Sequence, residues 1–206
     1  MFKKFKLFEA KVTNKTIINV DIQQEYKKSF SSKFIYNWIE FLNDSDGENM
    51  IVFLYNGKDT VGTMSKVEYV DWLMEYGLNE DILYNAVFYD KGYAFFRYCM
   101  DEGVDEDSIV EFVKYMYNHN INDSREIDED MWNDFMEETG SDKSEVRDLM
   151  EFADDCVTIP DLMDELKKYK NIVLTGGGLN ECLKEVEIAL KALGKSYEIL
   201  SEYTFE

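Results

Sequence analysis

The residue types best placed to do chemistry in this 206-residue chain lie near its two ends. Toward the carboxyl end, the apolar run 172–174 stops at three consecutive glycines, and Cys182 follows six residues after the first of them, Gly176. Glycine lets the backbone turn sharply and approach a ligand closely, because no Cβ blocks positive φ. Cys182 falls in the opening turn of a segment with strong helical periodicity. Unpaired N–H groups and the positive end of the helix dipole stabilise an anion there. The expectation is a thiolate made more nucleophilic by its position. The competing reading is structural, with glycines that allow close helix–strand packing and a cysteine that is a small buried hydrophobe. Near the amino end, the β-branched run 16–21 closes on a carboxylate, Asp21, and reads as a buried strand with a functional tip.

The elements that would position these groups alternate. Residues 16–21 read as a buried strand, and a helix follows to about residue 43, with Phe30, Phe34, Trp38 and Phe41 recurring at helical spacing. After the turn 43–47, the run 50–55 reads as a second strand, which makes one βαβ unit with parallel pairing and a right-handed crossover. Ser65 and Glu68 form a capping box for a helix with Val67, Val70, Leu73 and Met74 inward, and Gly77 sits where a C′ glycine belongs. The apolar runs 86–89 and 93–97 flank Asp90, Lys91 and Gly92. They fit a hairpin or a short segment feeding one parallel strand that ends at Arg97, and the second is favoured. Ile109, Phe112, Val113 and Met116 mark one later helix, Val146, Leu149 and Met150 another, and Pro160 opens a third over 161–169. The last helix places Leu183, Val186, Leu190 and Leu193 inward and Glu181, Glu185, Glu187 and Lys191 outward. It stops at Gly194, and 196–200 and 203–205 supply the final strands.

This pattern predicts a single three-layer α/β/α Rossmann-like domain with a mostly parallel sheet and an acidic helical insertion at about 101–157. In such sheets ligands sit outside the carboxyl ends of the strands. Asp21, Arg97 and the turn leading to Cys182 all fall at such ends. Tyr55 and Asn56 close the second strand, where they would line the same pocket or simply cap the strand.

Composition bounds the partners. The chain is 45% hydrophobic and 15% aromatic, as a folded globule is, and its net charge is −21. Residues 1–33 hold eight lysines against three acidic residues, whereas 101–165 hold 23 acidic residues against four basic ones. A direct nucleic-acid binder needs a basic footprint, and none exists beyond the amino-terminal arm. The acidic segment either keeps the surface solvated or binds a basic protein partner, as a DNA mimic would. No apolar run reaches the length of a membrane span, and residues 1–11 lack the apolar block of a signal peptide. Three cysteines (Cys99, Cys156 and Cys182) with no metal-type pairing suit a reducing, cytoplasmic setting.

With these residues in view, the chain resembles the isochorismatase-like, nicotinamidase-related cysteine hydrolases. That family has a strand ending in Asp with Gln two residues on, here Asp21 and Gln23, followed by an acidic and aromatic pair, here Glu25 and Tyr26. Its nucleophile segment spaces a glycine, the cysteine and a second glycine as Gly176, Cys182 and Gly194 are spaced, with an aliphatic residue at Leu183. The segment is most similar to a divergent, phage-encoded branch. The likeness covers about 15–56 and 158–205 and is weak between. It implies an Asp–Lys–Cys triad that cleaves an amide or related C–N or C–O bond of a small molecule. Cys182 would be the nucleophile and Asp21 the base. Backbone N–H groups of Gly178 and Cys182 would form an oxyanion hole, with the Gly177–Gly178 peptide cis as in the family.

No lysine ends a convincing middle strand, so Arg97 is the expected substitute, holding Asp21 ionised or forming a plain ion pair. Some nicotinamidases bind a metal through Asp and histidines. With one histidine, His119, no metal or other cofactor is expected here. Family members assemble as dimers or tetramers, which makes a homo-oligomer an expectation. The alternatives are a member that has lost efficient chemistry and acts through its acidic face, and one that sequesters a small ligand.

Overall fold

The computed structural model describes residues 14–45, 49–59, 62–91, 97–152 and 160–205. Five strands form one all-parallel sheet: β1 (Thr16–Val20), β2 (Met50–Tyr55), β3 (Val87–Asp90), β4 (Ile172–Gly177) and β5 (Tyr197–Phe205), in the order β3-β2-β1-β4-β5. The described helices are α1 (Ser32–Asp44), α2 (Lys66–Glu75), α3 (Glu80–Asn85), α4 (Arg97–Asp101), α5 (Glu106–Asn118), α6 (Glu129–Thr139), α7 (Arg147–Phe152), α8 (Pro160–Lys167) and α9 (Cys182–Ala192). This is the three-layer α/β arrangement expected from the alternation of elements.

Successive strand residues feed opposite layers, as the period of two demands. Ile17, Ile51 and Phe53 pack with Ile35, Trp38 and Leu42 of α1 and with Tyr69, Trp72 and Leu73 of α2. Ile18, Val52, Leu54 and Leu174 pack on the other side with α5, α8 and α9. Burying both faces requires apolar strands throughout, which explains why β1, β2 and β4 read as continuous hydrophobic runs.

Asn19 breaks that rule in the middle of β1. Its Oδ1 accepts from the Thr175 hydroxyl (2.6 Å) and from the Trp38 indole N–H (3.0 Å), and its Nδ2 donates to the Val52 carbonyl (3.0 Å). All its polar atoms are matched, so the cluster ties α1, β1, β2 and β4 together without an unsatisfied group.

Several expectations are corrected. Val67 and Met74 of α2 are exposed, and the inward face is Tyr69, Trp72 and Leu73. Large rings fill that space, with Tyr69 edge-on to Phe53 and stacked near Tyr55. On α1 the buried stripe is Ile35, Trp38, Ile39 and Leu42, whereas Phe30, Phe34 and Phe41 lean on Phe205 and Tyr203 of β5. The two final strands are one, bulged where the register slips between Leu174 and Gly176. Glu185 is buried instead of facing solvent, and so is Glu187. The stripe expected on α5 is present. Ile109, Phe112, Val113 and Met116 are buried in the layer beside α9, so this helix is part of the β3-to-β4 crossover.

Candidate active site

The strand order places the switch in chain direction between β1 and β4, the position at which open parallel sheets form a crevice. β1 leads outward to β2 and β3, and the chain then returns to lay β4 on the other side of β1. Residues at the carboxyl ends of β1, β3 and β4 meet there.

Asp21 follows β1 directly, in left-handed backbone conformation (φ +49°), with its N–H bonded to the Leu54 carbonyl (2.9 Å). Aspartate tolerates that region better than most residues. Across β1, Gly176 (φ +117°) approaches so closely that a Cβ there would lie 2.1 Å from the Val20 carbonyl oxygen. Gly178 (φ +64°) then reverses the chain, and its carbonyl accepts from both Glu181 N–H (2.7 Å) and Leu183 N–H (3.0 Å). That pair of hydrogen bonds fixes the start of α9 and, with it, Cys182 as the first residue of the helix. The space that a side chain at Gly177 would fill holds the Phe205 ring. Every described peptide bond is trans, so the cis Gly177–Gly178 bond that the family resemblance implied is not present.

The cation beside Asp21 is Lys91. Its Nζ lies 2.9 Å from Asp21 Oδ2 and 3.6 Å from Glu185 Oε2, and all three side chains are almost wholly buried. Lys91 directly follows β3, and its N–H donates to the Tyr55 carbonyl (2.9 Å), which seats it against the end of β2. Arg97 does not end a strand but opens α4. The segment 92–96, read as that strand, lies outside the described residues. The strand that pairs with β2 is the run before it, β3, and the signal was available: VFY followed by Asp90, Lys91 and a glycine places a lysine at the end of an apolar run.

The electrostatics are set by burial. Burial raises the Asp21 carboxyl above the usual aspartate range, against the opposing pull of Lys91 and of a hydrogen bond with the Cys182 thiol. Neither Asp21 oxygen accepts a hydrogen bond from a described backbone N–H. Burial also lowers the tendency of Lys91 to hold its proton, but Asp21, Glu185 and Cys182 together reverse this and leave it above the ordinary lysine value. Cys182 is 8% exposed. Burial first, and then the Asp21 and Glu185 charges, push its thiol well up, with Lys91 opposing. The resting sulfur is therefore a thiol held against a carboxylate, and the thiolate expected from the helix terminus alone is overridden.

The other expected site residues divide. Gln23 is buried and clamps two strand ends: its Oε1 accepts from Asn56 N–H (2.7 Å), and its Nε2 donates to the Asn56 carbonyl (3.2 Å) and to Glu25 (3.0 Å). Asn56 donates through Nδ2 to the Tyr26 hydroxyl (3.0 Å), and its buried Oδ1 has no hydrogen-bond partner among the described residues. The Tyr55 ring points into the core beside Tyr69, so only its backbone serves the site. Cys99 is buried, with its thiol on the Phe152 carbonyl, and Cys156 lies outside the described residues. His119 pairs with Glu138 at the surface (3.0 Å). Among the described residues no cluster of three His, Cys, Asp or Glu side chains is arranged to hold a metal, and no helix is long and apolar enough to cross a membrane.

No family model, curated protein or solved structure matches the chain. The chemistry of the site is therefore read from its own geometry.

Proposed function

We propose that this protein is a hydrolase of small molecules, of the isochorismatase-like kind, that cleaves an amide or related C–N or C–O bond through a covalent cysteine intermediate. The observation that carries the proposal is the buried meeting of Asp21, Lys91 and Cys182, brought from the ends of three strands, with Lys91 Nζ 2.9 Å from Asp21. A buried ion pair is costly to build and adds little stability over an apolar replacement. Placing one against a thiol at the crevice of a parallel sheet is better explained by proton transfer than by folding.

In the proposed reaction the Cys182 sulfur attacks the substrate carbonyl carbon as its S–H proton passes to Asp21. The carbonyl oxygen takes the electron pair, next to the N–H groups at the start of α9 and Gly178. Collapse breaks the C–N bond, and Asp21 gives its proton to the departing amine, which leaves a thioester on Cys182. Water then attacks the thioester carbon and loses a proton to Asp21. The C–S bond breaks, and the sulfur recovers the proton. Lys91 holds Asp21 in place and keeps its anionic form available between proton transfers.

The test is release of ammonia or acid from a panel of small primary amides and esters, joined to intact-mass detection of an acyl adduct on Cys182. Turnover is expected to vanish in Cys182→Ala and to fall by about 10²–10⁴ in Asp21→Asn. Turnover that survives in Cys182→Ala overturns the reading, as does a panel that yields neither product nor adduct with the folded protein.

A further inference from the structure

Glu185 lies one helical turn beyond Cys182, on the same face of α9. It is 2% exposed and sits 3.6 Å from the Lys91 ammonium, which the same nitrogen shares with Asp21 at 2.9 Å. The triad reading gives it no task, and a glutamate in the core is uncommon enough to require one. Because it lies beside the nucleophile, its charge bears directly on the sulfur.

Two routes to a thiolate differ in charge. If the thiol loses its proton to solvent, a third anion is added beside Asp21 and Glu185. If the proton moves to Asp21, one anion replaces another and no anion is added. Glu185 therefore penalises the first route far more than the second. The described charged and titratable groups around this sulfur act consistently. Asp21 from β1 and Glu185 from α9 oppose the thiolate, and Lys91 after β3 favours it. Glu25, in the turn after β1, raises the Asp21 carboxyl, and the Asp21 charge in turn raises the Tyr69 phenol of α2.

We infer that Glu185 is a positioning residue that keeps the reactive proton inside the site. It shares the Lys91 ammonium with Asp21 and makes the Cys182 thiolate accessible only by transfer to Asp21. The resting enzyme then carries a guarded thiol, slow to meet oxidants or stray electrophiles, and the nucleophile forms when a substrate is in place to receive it. This rests on the Asp21–Lys91–Cys182 reading and adds to it a residue and a reason for its charge.

The experiment is the pH profile of Cys182 alkylation by iodoacetamide, followed peptide by peptide, in wild type, Glu185→Gln, Glu185→Asp and Asp21→Asn. Glu185→Gln is expected to move the profile about one pH unit lower, giving roughly tenfold faster labelling near pH 8, as removal of a like charge at this range does. Glu185→Asp, which restores the charge on a shorter stem, is expected to return most of the shift. A purely structural role for Glu185 predicts a lower Tm with an unmoved profile, and that result overturns the inference. If Glu185→Gln does not fold, full and rapid labelling of wild-type Cys182 at neutral pH, where the guarded thiol is expected to react slowly, refutes it equally. The two readings fail separately. Profiles that shift in Asp21→Asn but not in Glu185→Gln sink only the role of Glu185. A Cys182 that labels no differently in any variant sinks the triad.

Discussion

Lys91→Met is the substitution on which the electrostatic account is most exposed. The ammonium is within 2.9 Å of Asp21 and 3.6 Å of Glu185, with side-chain exposures of 1–3%. At an effective dielectric of about 20, those separations correspond to roughly 6 and 5 kcal/mol of gross attraction. Desolvation of the ions offsets most of this in the native protein. Removing the cation alone leaves two buried carboxylates facing each other and is expected to destabilise by about 3–5 kcal/mol. For a chain of this length that is a drop in Tm of roughly 6–20 °C. The pH dependence has a definite sign. The folded-state pKa of Lys91 lies above its unfolded value, so its contribution is fully present below pH 10.5 and is lost as pH rises through the folded value. On the acid side, the stranded carboxylates of the variant take up protons and the deficit shrinks. The gap between wild type and Lys91→Met is thus smallest at acid pH and stays open from neutrality to about pH 10.5. Denaturant unfolding at pH 5, 7.5 and 10.5 measures it, and the double variant Lys91→Met/Asp21→Asn should recover part of the loss. A deficit below about 1 kcal/mol, or one equal at all three pH values, would refute the buried-pair reasoning.

Two further outcomes follow from the scaffold. Gly176→Ala forces a Cβ to within 2.1 Å of the Val20 carbonyl and is expected to abolish folded, soluble protein, whereas Gly77→Ala, at φ +90° with open space around it, should cost only about 1–2 kcal/mol by thermal unfolding. Asn19→Ala removes the acceptor of the Thr175 hydroxyl and one of the two acceptors of the Trp38 indole. It should lower stability by about 2–4 kcal/mol while leaving the alkylation profile of Cys182 in place, because that cluster sits inside the sheet and away from the rim.

How much of the site was legible depended on the kind of signal. Asp21 and Cys182 could be read because each is announced by its own neighbours, a β-branched run that ends in a carboxylate and a glycine turn that ends at a helix. Lys91 was equally close to its signal, yet two apolar runs competed for one strand. Only pairing with β2 decides between them, because Val52–Val87 and Tyr55–Asp90 place the earlier run in register. Gln23 and Asn56 were found by position, but their partnership is a contact between residues 33 apart. The Tyr55 ring turned inward because a strand gives successive side chains to opposite faces, and this one belongs to the face already filled by Tyr69.

The sequence by itself determined the class of fold, the parallel sheet, and the two chain positions at which a nucleophile and a base could arise, because hydrophobic period and turn chemistry are local properties. The tertiary structure decided which cation joins them, that Glu185 is buried beside it, and that the sulfur rests as a thiol. Those outcomes depend on distance and on exclusion of water, and neither exists until strands remote in the chain are laid side by side.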